Sequence, residues 1–260
     1  MAFLVVPLLL IGGGDLRAAH PASRGEKITL KTDDRFLLTA EFHPARGLPR
    51  GSRAPAVILV HDAGGSRADL EGLADALASM KIGALRIDLR GHGESKTCEG
   101  GKEPFEWKEE EFRGNKPFLK MHRDLRAAGE WLRGRDGVDV GRIGVVGLGS
   151  GGALALRFGT SEDFVRVAVL VSPSLGDRGF DLTQDVKRID GRSLLLVADA
   201  SGKKAAEDLK TIASGAAETV PVDLLVTKAE GKSAELLVRE KGLDRTVATW
   251  IRERLSPKKP

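Results

Sequence analysis

The 260-residue sequence predicts an α/β fold with a mixed, mostly parallel eight-stranded sheet, and three observations carry that prediction. Two runs, Lys27 to Thr32 and Phe36 to Phe42, alternate apolar and polar residues as a half-exposed antiparallel hairpin does. Six later runs are nearly continuously apolar, as strands covered on both faces are: Ala56 to Val60, Ala84 to Leu89, Arg142 to Gly147, Val165 to Ser172, Ser193 to Ala198 and Val222 to Thr227. Between these runs apolar residues recur at helical spacing, and such alternation places helices on both faces of a sheet.

Taken in chain order, residues 1–26 form an N-terminal segment and residues 27–260 one domain. Phe3 to Ile11 is an apolar run with the length of a signal-peptide h-region, too short to span a bilayer. No Lys or Arg precedes it, and Arg17 interrupts the small-residue pattern a cleavage site needs. Export and a frayed or buried terminus inside the cell therefore stand as open alternatives. Ser66, with Asp69 three residues on, predicts a capping box ahead of the stripe Leu70, Leu73, Leu77 and Met80. The charged stretch Glu99 to Gly114 carries Pro104 and reads as an insertion, a solvated flap or short helix. A second stripe, Phe118, Met121, Leu125, Ala128 and Leu132, is punctuated by Gly134 and Gly137. The segment between Ser172 and Ser193 is too short for a helical cap domain. Leu243, Val247, Trp250, Ile251 and Leu255 form the last stripe, and Ser256 to Pro260 reads as a frayed basic tail.

Composition narrows the function classes. Hydrophobic residues at 41% against 30% charged exclude a disordered or fibrous chain. A net charge of +4, dispersed along the chain, is too small for a nucleic-acid footprint. The one cysteine, Cys98, cannot form an internal disulfide or a thiolate zinc site, and nothing beside it argues for a reactive thiol. No metal or other cofactor is implied.

Three segments in order carry a resemblance: VILVHDAGGSRADL from Val57 to Leu70, RIDLRGHGES from Arg86 to Ser95, and RIGVVGLGSGGALAL from Arg142 to Leu156. Together they resemble the α/β-hydrolase fold, in its small, lidless esterase and dienelactone-hydrolase-like branch. The resemblance implies that the loop His61 to Gly65, including Asp62 and Ala63, contributes backbone N–H groups to an oxyanion hole. It also implies that the third segment is the nucleophile elbow. That turn requires small residues two positions either side of the nucleophile, and Gly147 and Gly151 meet the requirement only if Gly149 is central. The residue expected to carry the attacking oxygen then has no side chain, and Ser150 falls one place late.

The resemblance also orders the triad as nucleophile, acid, histidine. All five histidines, His20, His43, His61, His92 and His122, precede the elbow, so none can fill the third position. In KAEGKSAEL that position falls at or beside Lys232, whose ordinary pKa of about 10.4 makes it a cation rather than a base. Asp199, after the run Ser193 to Ala198, is the nearest carboxylate to the acid position, with plain surface charge as the simpler reading. His61 and His92, both on glycine-bounded turns, read as loop-structuring hydrogen bonders.

Three functions remain in view. The first is a catalytically degenerate hydrolase acting as a binding or protein-interaction module. Its anion-attracting pocket, built from the N–H groups of Ser150 and Gly151 facing the His61 loop and lined by Lys232, would take a small anionic or ester ligand. The second is an esterase using Ser150 in a rearranged site. The third is a nucleotide-binding protein, because Gly147 to Gly152 also fits G-x-G-x-x-G, although no acid follows at the ribose-binding position.

Overall fold

The computed structural model describes residues 25–101, 104–108, 116–216 and 221–256. The N-terminal apolar run and the end of the basic tail lie outside these residues.

The alternating runs pair as an antiparallel hairpin, β1 (Glu26–Lys31) with β2 (Phe36–His43). Burial follows the alternation in β2, while β1 is exposed at most positions, as an edge strand is. The apolar runs become β3 (Ala54–Val60), β4 (Gly83–Ile87), β6 (Val138–Leu148), β7 (Val165–Val171), β10 (Ser193–Ala198) and β11 (Val222–Val226). Their order with the hairpin is β1-β2-β4-β3-β6-β7-β10-β11, parallel from β4 onward. A two-residue strand, β5 (Thr97–Cys98), adds a ninth by pairing with Phe36 and Leu37, an addition too short to leave an apolar run in the sequence.

Successive residues of a strand face opposite sides, so each parallel strand feeds two cores. Ile58 and Val60 pack on one side of β3 with Phe118, Leu125 and Phe158; Val57 and Leu59 pack on the other with Leu73, Leu77 and Ile251. All of these are fully or almost fully buried, each contributing roughly 1.5–3 kcal/mol by removal from water. β11 departs from the expectation of two covered faces. It lies at the sheet edge, only Val222 is buried along it, and Val226 is 39% exposed.

The helical stripes fall where the spacing places them. Ser66 and Asp69 form the capping box, on a 3₁₀ turn (Arg67–Leu70) that leads into α1 (Glu71–Ser79). The second stripe spans α2 (Lys116–Leu119) and α3 (His122–Gly134), and the last forms α8 (Leu243–Leu255). Among the described residues four further helices are present: α4 (Ser150–Ser161), α5 (Leu182–Asp185), α6 (Lys203–Ala216) and α7 (Ala234–Arg239). Between β7 and β10 the chain makes only a two-strand ribbon, β8 (Gly176–Asp177) with β9 (Phe180–Asp181), then α5 and a 3₁₀ turn. No cap domain covers the strand ends there. The charged insertion is less solvated than its composition suggests: Phe105 and Trp107 are half-buried against the core. Among the described residues no helix is long and apolar enough to cross a membrane.

Candidate functional site

The elbow is built from glycines for a steric reason. A Cβ on Gly147 would lie 2.6 Å from the Gly152 Cα, and one on Gly151 would overlap the His61 carbonyl oxygen. No side chain fits at either position, so the register is fixed with Gly149 at the apex, between β6 and α4. Its backbone, φ 49° and ψ −119°, is a conformation that residues with a Cβ adopt only under strain. Leu148, the residue that a Ser150-centred turn would require to be small, is fully buried in the core.

The space above the apex is filled by Asp62. Its Oδ1 accepts two backbone N–H groups, from Ala63 at 2.7 Å and from Ser150 at 2.8 Å. One donor follows β3 and the other follows the elbow apex. A Cβ on Gly149 would stand 2.5 Å from that same Oδ1. The Asp62 carboxylate thus takes both backbone donors and the room that a side chain at position 149 would need. Ser150 N–H, expected to attract a ligand anion, already holds an internal one.

Two histidines fix the loop that carries Asp62. His61 Nε2 accepts the Leu89 N–H at 3.0 Å, which puts the proton on Nδ1, and Nδ1–H donates to the Asp62 carbonyl at 2.6 Å. His92 Nε2 accepts the Gly64 N–H at 3.0 Å, and its Nδ1–H donates to the Arg90 carbonyl at 3.1 Å. Burial holds both rings neutral, pushing His92 down to about 3 and His61 below its usual range. With every ring nitrogen engaged, neither serves as a base. Trp107 from the charged insertion stacks on His92, centroids 4.5 Å apart.

The turn carrying His92 is itself anchored by buried ion pairs. Arg90 bonds Asp124 through Nε at 2.8 Å and through its backbone N–H at 2.9 Å, and reaches Asp34 at 2.7 Å. Burial pushes Asp124 up to about 6 despite the guanidinium beside it. Asp88 is buried under Arg67.

Ser150 is the first residue of α4, not the apex, and is buried. Its hydroxyl donates to the Asp177 carboxylate and accepts Arg178 Nε at 3.2 Å. The Arg178 guanidinium lies over the rings of Trp107 and Phe118, 5.1 and 5.8 Å from their centroids.

Across the cavity, the expectation of Asp199 as plain surface charge is corrected: it is only 5% exposed. Its Oδ1 accepts the Ser201 hydroxyl and the Gly202 N–H, both at 2.8 Å, and its Oδ2 accepts the Gly231 N–H at 3.1 Å. These donors hold its carboxyl below the usual carboxylate range. Lys232 lies on the same rim but is exposed. The next residue, Ser233, is 8% exposed with φ 55°, and its Oγ has no hydrogen-bond partner. Its N–H donates to Ser172 Oγ at 2.8 Å, and Ser172 too has φ 55°. Non-glycine residues held at positive φ cluster at functional sites, and two of the molecule's described examples face each other here.

These groups line one open cavity of about 450 Å³ at the carboxyl ends of the parallel strands, where ligands bind in open α/β sheets. It brings together Asp62, Gly149, Ser150, Asp177, Asp199, Lys232 and Ser233. Of the residues singled out in the sequence, His61 lies behind its wall, with Ala63 and Gly151 shaping it through their backbones. Sequence reasoning missed Ser172, Asp177, Arg178 and Ser233. The motif SPSLGDRG contains three of them, and only the fold turns that segment back over the elbow. Among the described residues no cluster of three His, Cys, Asp or Glu side chains is placed to hold a metal ion.

Residues 57–257 match the alpha/beta hydrolase family. Among curated proteins, the chain is 28% identical over 132 residues to an uncharacterised protein of Mycobacterium tuberculosis strain H37Rv, 51% of this chain. That alignment spans only 40% of the relative's length. Among solved structures, an esterase of Pyrococcus furiosus superposes with TM-score 0.66 at 18% identity, covering 89% of this chain and 93% of its own. An acylaminoacyl peptidase of Pyrococcus horikoshii gives 0.68 at 15% identity, over 90% of this chain and 42% of its own. The esterase domain of a Rhodothermus marinus protein gives 0.64 at 14% identity, over 89% and 99%. At such identities the likeness extends to the fold alone.

Proposed function

The chain belongs to the alpha/beta hydrolase family, and from that premise we propose that it binds a small ligand in the strand-end cavity without cleaving esters by the family's serine route. Acyl transfer needs an attacking oxygen, a base to take its proton and two N–H donors left open for the developing oxyanion. Here the apex residue Gly149 supplies no oxygen, and the candidate base position holds Lys232. The observation that carries the reading is the third: the Ala63 and Ser150 donors are bound to Asp62 Oδ1. Loss of one such donor lowers turnover about 10²–10³-fold, and loss of the nucleophile alone about a millionfold.

A second reading keeps Ser150 as the nucleophile of an esterase, favoured by its hydrogen bond to Asp177. Against it, the same hydroxyl accepts Arg178, and the donors an acyl oxygen would need are taken. The third reading, a nucleotide site on the glycine-rich turn, requires phosphate to displace Asp62 from the Ser150 N–H. NAD or ATP raising the melting temperature would favour it. Hydrolysis of p-nitrophenyl acetate and butyrate separates the first two readings. The proposal expects rates at the buffer background, unchanged by Ser150→Ala; turnover that Ser150→Ala abolishes would establish the second.

A further inference from the structure

We propose that the free edge of the sheet at β11 pairs with the β11 of a second copy of this chain, antiparallel and about a two-fold axis through Leu224, so that the sheets of two molecules become one. This pairing is independent of what the strand-end cavity binds.

The backbone decides which groups are available. In a parallel ladder alternate residues turn both their N–H and their C=O toward one neighbour. The Pro221 carbonyl accepts the Leu194 N–H and the Thr227 N–H donates to the Ala198 carbonyl, so the odd-numbered residues from 221 to 227 face β10. Val222, Leu224 and Val226 therefore turn their N–H and C=O groups outward, and no described residue bonds them. Pro221, whose missing N–H would interrupt an added ladder, is one of the inward-facing residues.

The two ends of the sheet differ in how they are guarded. β1 carries Glu26, Lys27 and Lys31, all exposed and ion-paired with Arg135, Glu94 and Glu99. Charged side chains along an edge discourage a second chain from adding to it. β11 carries one charge, and Asp223 is already bonded to Trp250 Nε1 at 2.7 Å and to Arg254 at 2.9 Å. Its register with β10 runs unbroken, with no bulge to twist the edge away. Val226 is one of the few large apolar side chains left exposed among the described residues.

The spacing selects a second copy as the partner. A two-fold axis through Leu224 sets Leu224 opposite its own copy and Val222 opposite Val226, which joins all three outward residues in hydrogen-bonded pairs. Each Asp223 then lies opposite a Leu225. An axis through Asp223 or Leu225 would leave one outward residue beyond the partner strand, and an axis through Asp223 would also set two carboxylates directly opposite each other, where like charges repel. The strand thus fits itself in one register. Five residues bury less than a permanent dimer needs, so the association is reversible, with a Kd on the order of 10 μM.

Sedimentation velocity of the full chain from about 1 to 300 μM tests this, with a monomer expected at the low end and a dimer at the high end. Val226→Lys places a charge on the edge and should weaken the dimer about tenfold or more, while the melting temperature stays within about 2 °C because the side chain is exposed. Val226→Pro deletes an N–H that bonds nothing in the monomer and should weaken the dimer as strongly. In a Cys98→Ser background, Leu224→Cys should cross-link under mild oxidation, since residues paired on the axis have Cα atoms about 5.5 Å apart, whereas Lys27→Cys on the opposite edge should not. A monomer at every concentration would overturn the proposal, whether the edge stays bare or another part of the chain covers it. A dimer that Val226→Lys leaves intact, or that Leu224→Cys fails to link, would overturn it as well by placing the interface elsewhere.

Discussion

The two walls of the cavity are built in opposite ways. On the elbow wall the backbone sets the geometry: Gly147 and Gly151 permit the sharp turn, Gly149 leaves its apex bare, and Asp62 fills the space above it. On the facing wall side chains set it. Asp199 sits buried in a ring of donors after β10, while the loop after β11 ends in an exposed Lys232 and in Ser233, whose φ is positive and whose Oγ has no partner. Steric closeness explains the difference. The elbow is pressed between two strands and a helix, so its backbone can hardly vary, whereas the loop after β11 follows an edge strand that is only half-buried along most of its length.

The largest test of this contrast is steric. Gly151→Ala places a methyl against the His61 carbonyl and should cost roughly 3 kcal/mol in denaturant unfolding, whereas Lys232→Ala should stay within about 0.5 kcal/mol. Comparable effects at the two positions would break the comparison. Next comes the coupling between apex and plug. Gly149→Ser should lose about 1–3 kcal/mol, and Asp62→Gly should recover part of that loss when combined with it, because the new Cβ and the carboxylate compete for one space. Additive losses would show that the two side chains do not meet.

A pH profile sharpens the account of the loop behind the elbow wall. His61 and His92 titrate lower folded than unfolded, so the unfolded chain binds more protons below pH about 6.5. Stability should therefore fall as pH drops from about 6.5 toward 3, offset in part by Asp124, whose carboxyl is raised to about 6 in the folded chain, with Asp199 adding to the loss only in the more acidic part, since its folded carboxyl is depressed. His92→Gln should flatten the upper part of that slope, and an unchanged slope would contradict the buried neutral ring. A smaller effect than at either glycine is expected at Ser201→Ala, which removes one of Asp199's donors and should cost about 0.5–1.5 kcal/mol.

Much of the elbow wall could be read from the chain because sterics ties it to residue type. Gly147, Gly149 and Gly151 fix their own register, and the absence of histidine after the elbow needs no structure. Two things could not be read. Asp62 looks like any residue of its loop until its rotamer is known, and that rotamer decides whether the Ala63 and Ser150 N–H groups are open. Asp199 gains its burial from Gly202 and Gly231, the latter from a distant loop that strand pairing brings alongside. The same holds for Asp177 and Arg178, which a short ribbon folds back onto Ser150. The Lys203–Ala216 helix was missed because its buried stripe is Ala206, Leu209 and Ala213, too weak an apolar period to stand out.

The central claim is that no side chain at the elbow presents an activated oxygen. Intact-mass analysis of the protein after exposure to a fluorophosphonate tests it most directly. The account predicts an unmodified chain, and a single adduct that disappears in Ser150→Ala would contradict it.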